Sequence, residues 1–383
     1  MTLPSTTRAA VLVEHGAPLE LAELPLPAPE PGAVVVRIRC ASLCGTDIEI
    51  WSGKMTFPGM LPMVLGHEMV GEVVAVGDGA RDALGRALEI GDRIGWSEST
   101  CGECYGCVVL REPVHCSRRG YGFLQRSDAP PYATAGLADY AYVTPGAAKL
   151  TLPEVVKDTW ASMAGCAAKT VLRAFERAGR IRPGATVAIQ GSGALGVFAT
   201  AVARIAGAGR VITIGAPASR LALARRFGAD EVVDIADGDV VDRVLALTGG
   251  RGADTVFDFA GAPSVGPEAI GMAATRGTVV VVGSTGPAGD PFPLSAIMGK
   301  ELTVVGSLNG DIADYARAID FFAAFADRFD WDGLFSAPVG LAEASEKIAA
   351  MDRLAEVKAV IDPRLDAPPG PAASAPTPEG PRA

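Results

Sequence analysis

Cys101, Cys104 and Cys107 are spaced C-x2-C-x2-C, and Cys116 follows after eight further residues. Four thiolates in a sixteen-residue loop can surround one Zn²⁺ tetrahedrally. No coordination position is then left open, so the spacing predicts a structural rather than a reactive metal site. Such a site would hold together a lobe, about 97–120, that is too short to build a core of its own. His115, beside Cys116, is the alternative fourth ligand; Cys116 is preferred.

A second chemical signal is Gly191-Ser192-Gly193-Ala194-Leu195-Gly196, which fits G-x-G-x-x-G. It directly follows the apolar run ATVAIQ and opens an apolar helical run, the context a dinucleotide-binding turn requires. The first glycine permits the tight turn, the second lets backbone approach a pyrophosphate, and the third lets helix pack on strand. The helix start then offers free N–H groups and partial positive charge to the phosphates. The next strand, RVITI, should end in an acid that grips the ribose hydroxyls. Gly215-Ala216-Pro217 stands there instead. Without that carboxylate a 2′-phosphate is not repelled, and nearby Arg220 is either its partner or a solvated helix arginine. NAD and NADP both remain open.

Further candidates are scattered. Cys44 opens Cys44-Gly45-Thr46-Asp47, His67-Glu68 follows Gly66, and Cys166 lies in Ala164-Gly165-Cys166-Ala167. Each alone reads as structural, since a lone buried cysteine or histidine is more often core than ligand. The chain has only three histidines, His15, His67 and His115. Cys40, inside a strand run, reads as core filler. Trp51, Trp96, Ser97, Glu98 and Tyr121 are candidates for a substrate pocket or equally for packing.

The elements that must position these groups divide the 383 residues. Short β-like runs over 8–40 and 64–77 indicate an irregular, mostly β catalytic domain at 1–160. Strands then alternate with helices (ATVAIQG, GALGVFATAVARIAGA, RVITIG, SRLALARRFGA, DTVFDFAG, a helix near 266–275, GTVVVVG, ELTVVG), which indicates βαβ units and a parallel sheet over 161–308. Residues 309–365 are helix-rich and end in VKAVIDP, a strand able to return to the first domain. The Pro/Ala/Gly/Ser-rich stretch 366–383 reads as a disordered tail. The net charge of −10, with no basic stripe, excludes nucleic acid and anionic membranes as natural partners. No secretory signal or spanning apolar run is present, and seven cysteines make an odd count for a disulfide framework. A soluble, cytoplasmic protein with metal-binding thiols is expected.

Together CGTD (44–47), GHE (66–68), GDRI (91–94), the four-cysteine lobe, GLADYAYV (136–143), GSGALG (191–196) and VKAVIDP (357–363) resemble the zinc-containing medium-chain dehydrogenase/reductase family, the alcohol dehydrogenase superfamily, over about residues 8–363. The resemblance implies an α/β molecule: a GroES-like catalytic domain, a Rossmann doubly wound domain, and a cleft between them for zinc and nicotinamide. It implies two zinc ions per chain, NAD or NADP as cofactor, hydride transfer between a secondary alcohol and a ketone, and a homo-oligomer, dimer or tetramer. Residue by residue, Cys44, His67 and Cys166 match the family's three protein ligands to the catalytic zinc. Glu68 matches the acid beside the metal, which in this family either stands behind the ligands or ligates transiently. Thr46 matches the hydroxyl that hydrogen-bonds the substrate oxygen and takes its proton. Thr170 matches a position touching the nicotinamide, and Lys358 a basic residue near the cofactor phosphates.

Three departures from the family pattern stand out. Glu49 occupies the position where many relatives carry a relay histidine, so the proton leaves through Glu49 or by another route. The interval from Cys107 to Cys116 is one residue longer than usual, which puts His115 at the familiar ligand position. Gly215 replaces the ribose-binding acid. SESTCGECYGC, GCAA and VVGSTGPAG are closest to a bacterial branch for which a polyol or cyclitol substrate is expected. The rival of another class is a non-enzymatic zinc- or redox-responsive protein that kept the fold; the missing relay histidine favours it, and intact Cys44, Thr46, His67 and Cys166 oppose it. A zinc hydrolase would have no use for GSGALG, and zinc-free quinone or enoyl reductases of the superfamily lack the ligand set.

Overall fold

The computed structural model describes residues 3–283 and 292–366. The tail expected to be disordered, apart from Asp366, and the STGPAG part of the fragment at 281–289 lie outside the described residues.

The first unit is β-rich because its longest strands are rich in β-branched residues; its central strand Val34–Ser42 is buried on both faces, Val34, Val36 and Ile38 in one apolar cluster and Val35 in another. In chain order it contains β1 (Thr6–Leu12), β2 (Glu20–Pro25), β3 (Val34–Ser42), β4 (Met63–Val64), β5 (Glu68–Val76), β6 (Arg93–Ser99), β7 (Tyr140–Val143) and β8 (Ala147–Thr151). β1 pairs with β2 and β4 in a small antiparallel sheet. β3 runs antiparallel to both β5 and β7, and β5 continues through β6 to β8. The register shifts between Trp96 and Ser99, an irregularity that takes Ser97 and Glu98 out of the ladder and re-aims them.

The second unit is a six-stranded parallel sheet: β9 (Thr186–Gln190), β10 (Arg210–Gly215), β11 (Glu231–Asp234), β12 (Ala253–Asp258), β13 (Ala273–Val281) and β14 (Thr303–Gly306). Its spatial order is β11-β10-β9-β12-β13-β14, doubly wound about β9. β9 is buried along its whole length, as an apolar strand covered on both faces must be. β11 and the helix Val240–Leu247 were not among the sequence expectations. The helix expected near 266–275 spans Val265–Met272 and stops there because Ala273 already pairs with Ala253 of β12.

Two segments join the units. A helical stretch runs from Asp158 to Ala178, broken by one π-helical turn at Ala164–Ala168. At the other end the chain returns as β15 (Val360–Ile361), antiparallel to β3 with Val360 opposite Ser42 and Ile361 opposite Ala41. Between β14 and β15 the helix Ile312–Ala324 packs Phe321 and Phe322 against Phe198 and Trp331. Each aromatic pair contributes about 0.5–1.5 kcal/mol beyond its buried area.

Candidate metal centres and dinucleotide groove

Cys44 stands two residues after the end of β3, at the N-cap of the helix Gly45–Trp51. The short polar segment Gly-Thr-Asp starts that helix, with Asp47 at its third position. The buried Asp47 carboxylate accepts from Cys44 N (2.8 Å) and Gly66 N (3.1 Å), and lies 3.2 Å from His67 Nδ1. One side chain therefore fixes both loops. An Nδ1–H donated to Asp47 leaves the Nε2 lone pair for a metal. Asp47 had a visible signal, the last residue of CGTD, but no role was assigned to it from sequence.

Glu68 opens β5 opposite Ser42. Its Oε2 accepts from Ser42 Oγ (2.6 Å) and from Lys358 Nζ (2.5 Å), while its buried Oε1 has no partner among the described residues. Burial outweighs Lys358 and pushes the Glu68 carboxyl up to about 7. Lys358, expected near the cofactor phosphates, is instead fully buried with its ammonium committed to Glu68. The pairing of β15 with β3 carries it there, a long-range contact invisible in VKAVIDP.

Cys166 sits in the π-helical turn, whose extra residue widens the backbone ring and re-aims the side chain. Tyr315 supports this turn from below: its hydroxyl donates to Ala161 O (2.9 Å), and its ring lies 3.7 Å from where a Gly165 Cβ would stand. Thr170 donates to Cys166 O at 2.8 Å. One donor atom from each of Cys44, His67, Glu68 and Cys166 falls within 4.8 Å of the others. In this cluster the hydrogen bond from Cys166 and the field of Lys358 draw the Cys44 thiol well below its ordinary value against the cost of burial, while the same bond and burial push Cys166 up. Thr46 is half-buried on the first helical turn and Glu49 exposed on the next. Burial and the neighbouring Cys44 raise the Glu49 carboxyl above its ordinary value.

The other cluster comprises Cys101, Cys104, Cys107 and Cys116, again within 4.8 Å of one another. Cys101 and Cys116 sulfurs are 3.5 Å apart, and those of Cys104 and Cys107 3.6 Å. Backbone N–H groups of Cys101 and Arg118 point at Cys116 Sγ, as they do toward a thiolate. His115 lies outside the group, exposed, with Nε2 3.4 Å from Glu112.

Behind this lobe lies a buried charge network that sequence reasoning missed. Lys169 Nζ reaches Ser97 Oγ (3.1 Å) and Glu98 Oε2 (3.2 Å), and Glu98 Oε1 also faces Arg119 Nη2 (3.0 Å) and Asn309 Nδ2 (3.1 Å). The available signal was Lys169 three residues after Cys166, on the same helical face.

At the parallel sheet a groove of about 680 Å³ includes Gly191, Ser192, Gly193, Gly215 and Arg220 in its lining. Gly191 takes φ +110°, and a Cβ on Gly196 would stand 1.8 Å from Gly191 O, so both positions need glycine. Ala194 and Leu195 occupy the first helical positions with their side chains in or against the core; what they offer a ligand is backbone N–H. Arg220 is not a solvated arginine: it lines the groove, donates to Glu356 O, and its buried Nε has no partner among the described residues. Of the pocket candidates, Trp96, Ser97, Glu98 and Tyr121 line a second cavity beside His67, whereas Trp51 donates its indole N–H to Ala17 O and packs in the first core.

Residues 30–154 match the alcohol dehydrogenase GroES-like domain and residues 194–324 the zinc-binding dehydrogenase domain. The chain is 32% identical over 367 residues to 5-exo-hydroxycamphor dehydrogenase of Pseudomonas putida, covering 94% of this chain and 99% of that one. Among solved structures it resembles an alcohol dehydrogenase from Thermotoga maritima (TM-score 0.86, 29% identity, 93% of this chain and 99% of that one). It also resembles a zinc-binding dehydrogenase from Sinorhizobium meliloti 1021 bound to NADP (TM-score 0.82, 28% identity, 94% of this chain and all of that one).

Proposed function

The chain belongs to the zinc-containing medium-chain dehydrogenase family, and from that membership we propose that Cys44, His67 and Cys166 hold the catalytic zinc, with Glu68 beside it, and that Cys101, Cys104, Cys107 and Cys116 hold a structural one. The protein is an oxidoreductase acting on the CH–OH group of secondary alcohols, with zinc and NAD(P). One observation carries the site: donors from Cys44, His67, Glu68 and Cys166, far apart in sequence, lie within 4.8 Å of one another. Two thiols, an imidazole and an orphaned carboxylate oxygen suit zinc, and three ligands leave a position open.

When bound, zinc supplies Lewis acidity to a substrate oxygen and the nicotinamide supplies the hydride acceptor. The chain's own residues do the rest. Asp47 holds the His67 tautomer, and Lys358 and Ser42 orient Glu68. Thr46 takes the alcohol's proton and Glu49, three residues along the same helix, passes it to water; the raised Glu49 carboxyl suits it to that transfer. Thr170 would contact the nicotinamide, and the Gly191–Gly196 turn would hold the pyrophosphate on its backbone N–H groups.

NADP is accepted as well as NAD. A Cβ at Gly215 would stand 2.4 Å from Ser192 Oγ, so no carboxylate fits there to repel a 2′-phosphate, and Arg220 faces the same groove. The molecule works as a homo-oligomer, a reading supported by the exposed edge strand β14 and by exposed Leu294, Met298 and Leu308; sedimentation of the pure protein tests it. Among the described residues no helix is long and apolar enough to cross a membrane, and the seven cysteines are all unpaired, which supports a reducing, cytoplasmic setting. The deciding experiment is zinc analysis of purified protein together with nicotinamide absorbance on adding secondary alcohols. Two zinc ions per chain and alcohol-dependent reduction are expected; absence of either overturns the assignment.

A further inference from the structure

The polar wall beside the metal cluster is already occupied by the protein's own hydrogen bonds. A cavity of about 260 Å³ opens on the His67 ring and on Gly165, the neighbour of Cys166, and so adjoins the proposed catalytic zinc. Ser97 and Glu98 line it and by type would anchor the extra hydroxyls of a polyol. Ser97 Oγ, however, donates to Glu98 and accepts from Lys169 at 3.1 Å. The Glu98 oxygens accept from Ser97, Lys169, Arg119 and Asn309 together. That is about the full lone-pair capacity of a carboxylate. Ser99 and Thr144 hydroxyls pair with each other at 3.2 Å, and Thr134 donates to Gly122 O at 2.7 Å. Among the described residues the Tyr121 hydroxyl, the Trp96 indole N–H, the Gln125 amide and one O–H of the Ser99–Thr144 pair remain without a protein partner, fewer groups than a ring bearing a hydroxyl on every carbon would need.

The other wall is apolar. The Phe123 ring lies 4.7 Å from the His67 ring, tilted by 34°, Tyr121 meets Phe123 edge-on at 5.5 Å, and Trp96 and Met69 complete the surface. Among the described residues no lysine or arginine is part of the lining: Lys169 and Arg119 direct their head groups onto Glu98, and Arg119 also covers the Tyr121 ring. Nothing there would pair with a substrate carboxylate.

We infer, on the strength of the metal site proposed above, that this cavity receives a neutral carbocyclic or arylalkyl secondary alcohol with a single hydroxyl, rather than a polyol or a hydroxy acid. The hydroxyl reaches the zinc while the hydrocarbon body packs against Phe123, Tyr121 and Trp96. Each further hydroxyl buried without a partner weakens binding by roughly tenfold or more, and an apolar ring gains by leaving water.

The test compares cyclohexanol and 1-phenylethanol with sorbitol, myo-inositol and lactate on the zinc-loaded full chain. One readout is kcat/KM with NAD and NADP; a second, independent of turnover, is saturation-transfer NMR of each alcohol. The apolar alcohols are expected to exceed the others at least 100-fold in kcat/KM and to be the ones that receive saturation. Phe123→Ala is expected to raise their KM about tenfold with zinc content unchanged. A polyol or lactate within tenfold of the cyclic alcohols, or an unaffected Phe123→Ala, overturns the inference and leaves the dehydrogenase assignment standing. Binding of cyclohexanol without turnover of any alcohol supports the inference and removes that assignment. Failure of the cyclic alcohols to bind overturns the inference outright.

Discussion

Lys169 Nζ lies 3.2 Å from Glu98 Oε2, with 1% of the lysine side chain and 14% of the glutamate side chain accessible to water. The pair ties the end of β6 to the helix that begins three residues after Cys166. Through Arg119 it reaches the four-cysteine lobe, and through Asn309 the segment entering the helix Ile312–Ala324. Two charges removed from water are tolerated here because every head group has partners; an orphaned one would not be.

Lys169→Met should therefore destabilise the zinc-loaded protein by about 3–5 kcal/mol, as expected when one member of a buried pair is deleted. Glu98→Gln should also destabilise. The double variant should lose at least about 1 kcal/mol less than the sum of the two. Urea unfolding of the four proteins gives the coupling, and strict additivity would mean the pair contributes no interaction of its own.

Glu98 also predicts a pH dependence. Burial raises its carboxyl, but Lys169 and Arg119 outweigh burial and hold it far below its ordinary value of 4.5. A carboxyl depressed in the folded state contributes stability that is present above its unfolded pKa and is lost as pH falls below it. Wild type should thus lose stability more steeply than Glu98→Gln as pH drops below about 4.5. Melting temperatures of both proteins from pH 6 to pH 3 check this, and parallel curves would contradict it.

Cys44→Ala should remove one of two zinc ions per chain and abolish turnover while the circular dichroism spectrum stays unchanged. The lobe cluster is separate and keeps its metal. Wild-type activity in this variant would show that Cys44 is not a ligand.

Arg220→Ala should lower kcat/KM for NADP by about 10- to 100-fold, the range of a hydrogen bond to a charged group, and change that for NAD less than about threefold. Equal losses with both cofactors would mean that Arg220 supports the groove rather than recognising the 2′-phosphate.

Much of this was legible in the sequence where the information is local. C-x2-C-x2-C with Cys116 sets four sulfurs within one loop, and GSGALG lies between a buried strand and an apolar helix. The second cluster was legible only through family resemblance, because Cys44, His67 and Cys166 are separated by most of the first unit and no spacing rule joins them. Lys358 was misplaced for the same reason: its partner is decided by the register of β15 on β3. The Ser97–Glu98 wall shows the opposite limit. Residue type advertised free hydrogen-bonding groups, and only the packing of Lys169, Arg119 and Asn309 shows them occupied. β11 escaped notice because it is four residues long and mostly half-buried.

The pairing of β15 with β3 sets an order of events during synthesis. Ser42 leaves the ribosome more than three hundred residues before Val360, its strand neighbour. The parallel sheet is contiguous in sequence and can close as soon as β14 emerges, since nascent domains fold as units. The strand that delivers Lys358 to Glu68 arrives last. The sheet can thus close on the nascent chain while the chamber around Glu68 still lacks a wall; the nucleotide groove, which Leu354 helps to line and where Arg220 donates to Glu356 O, is completed only by that same late segment.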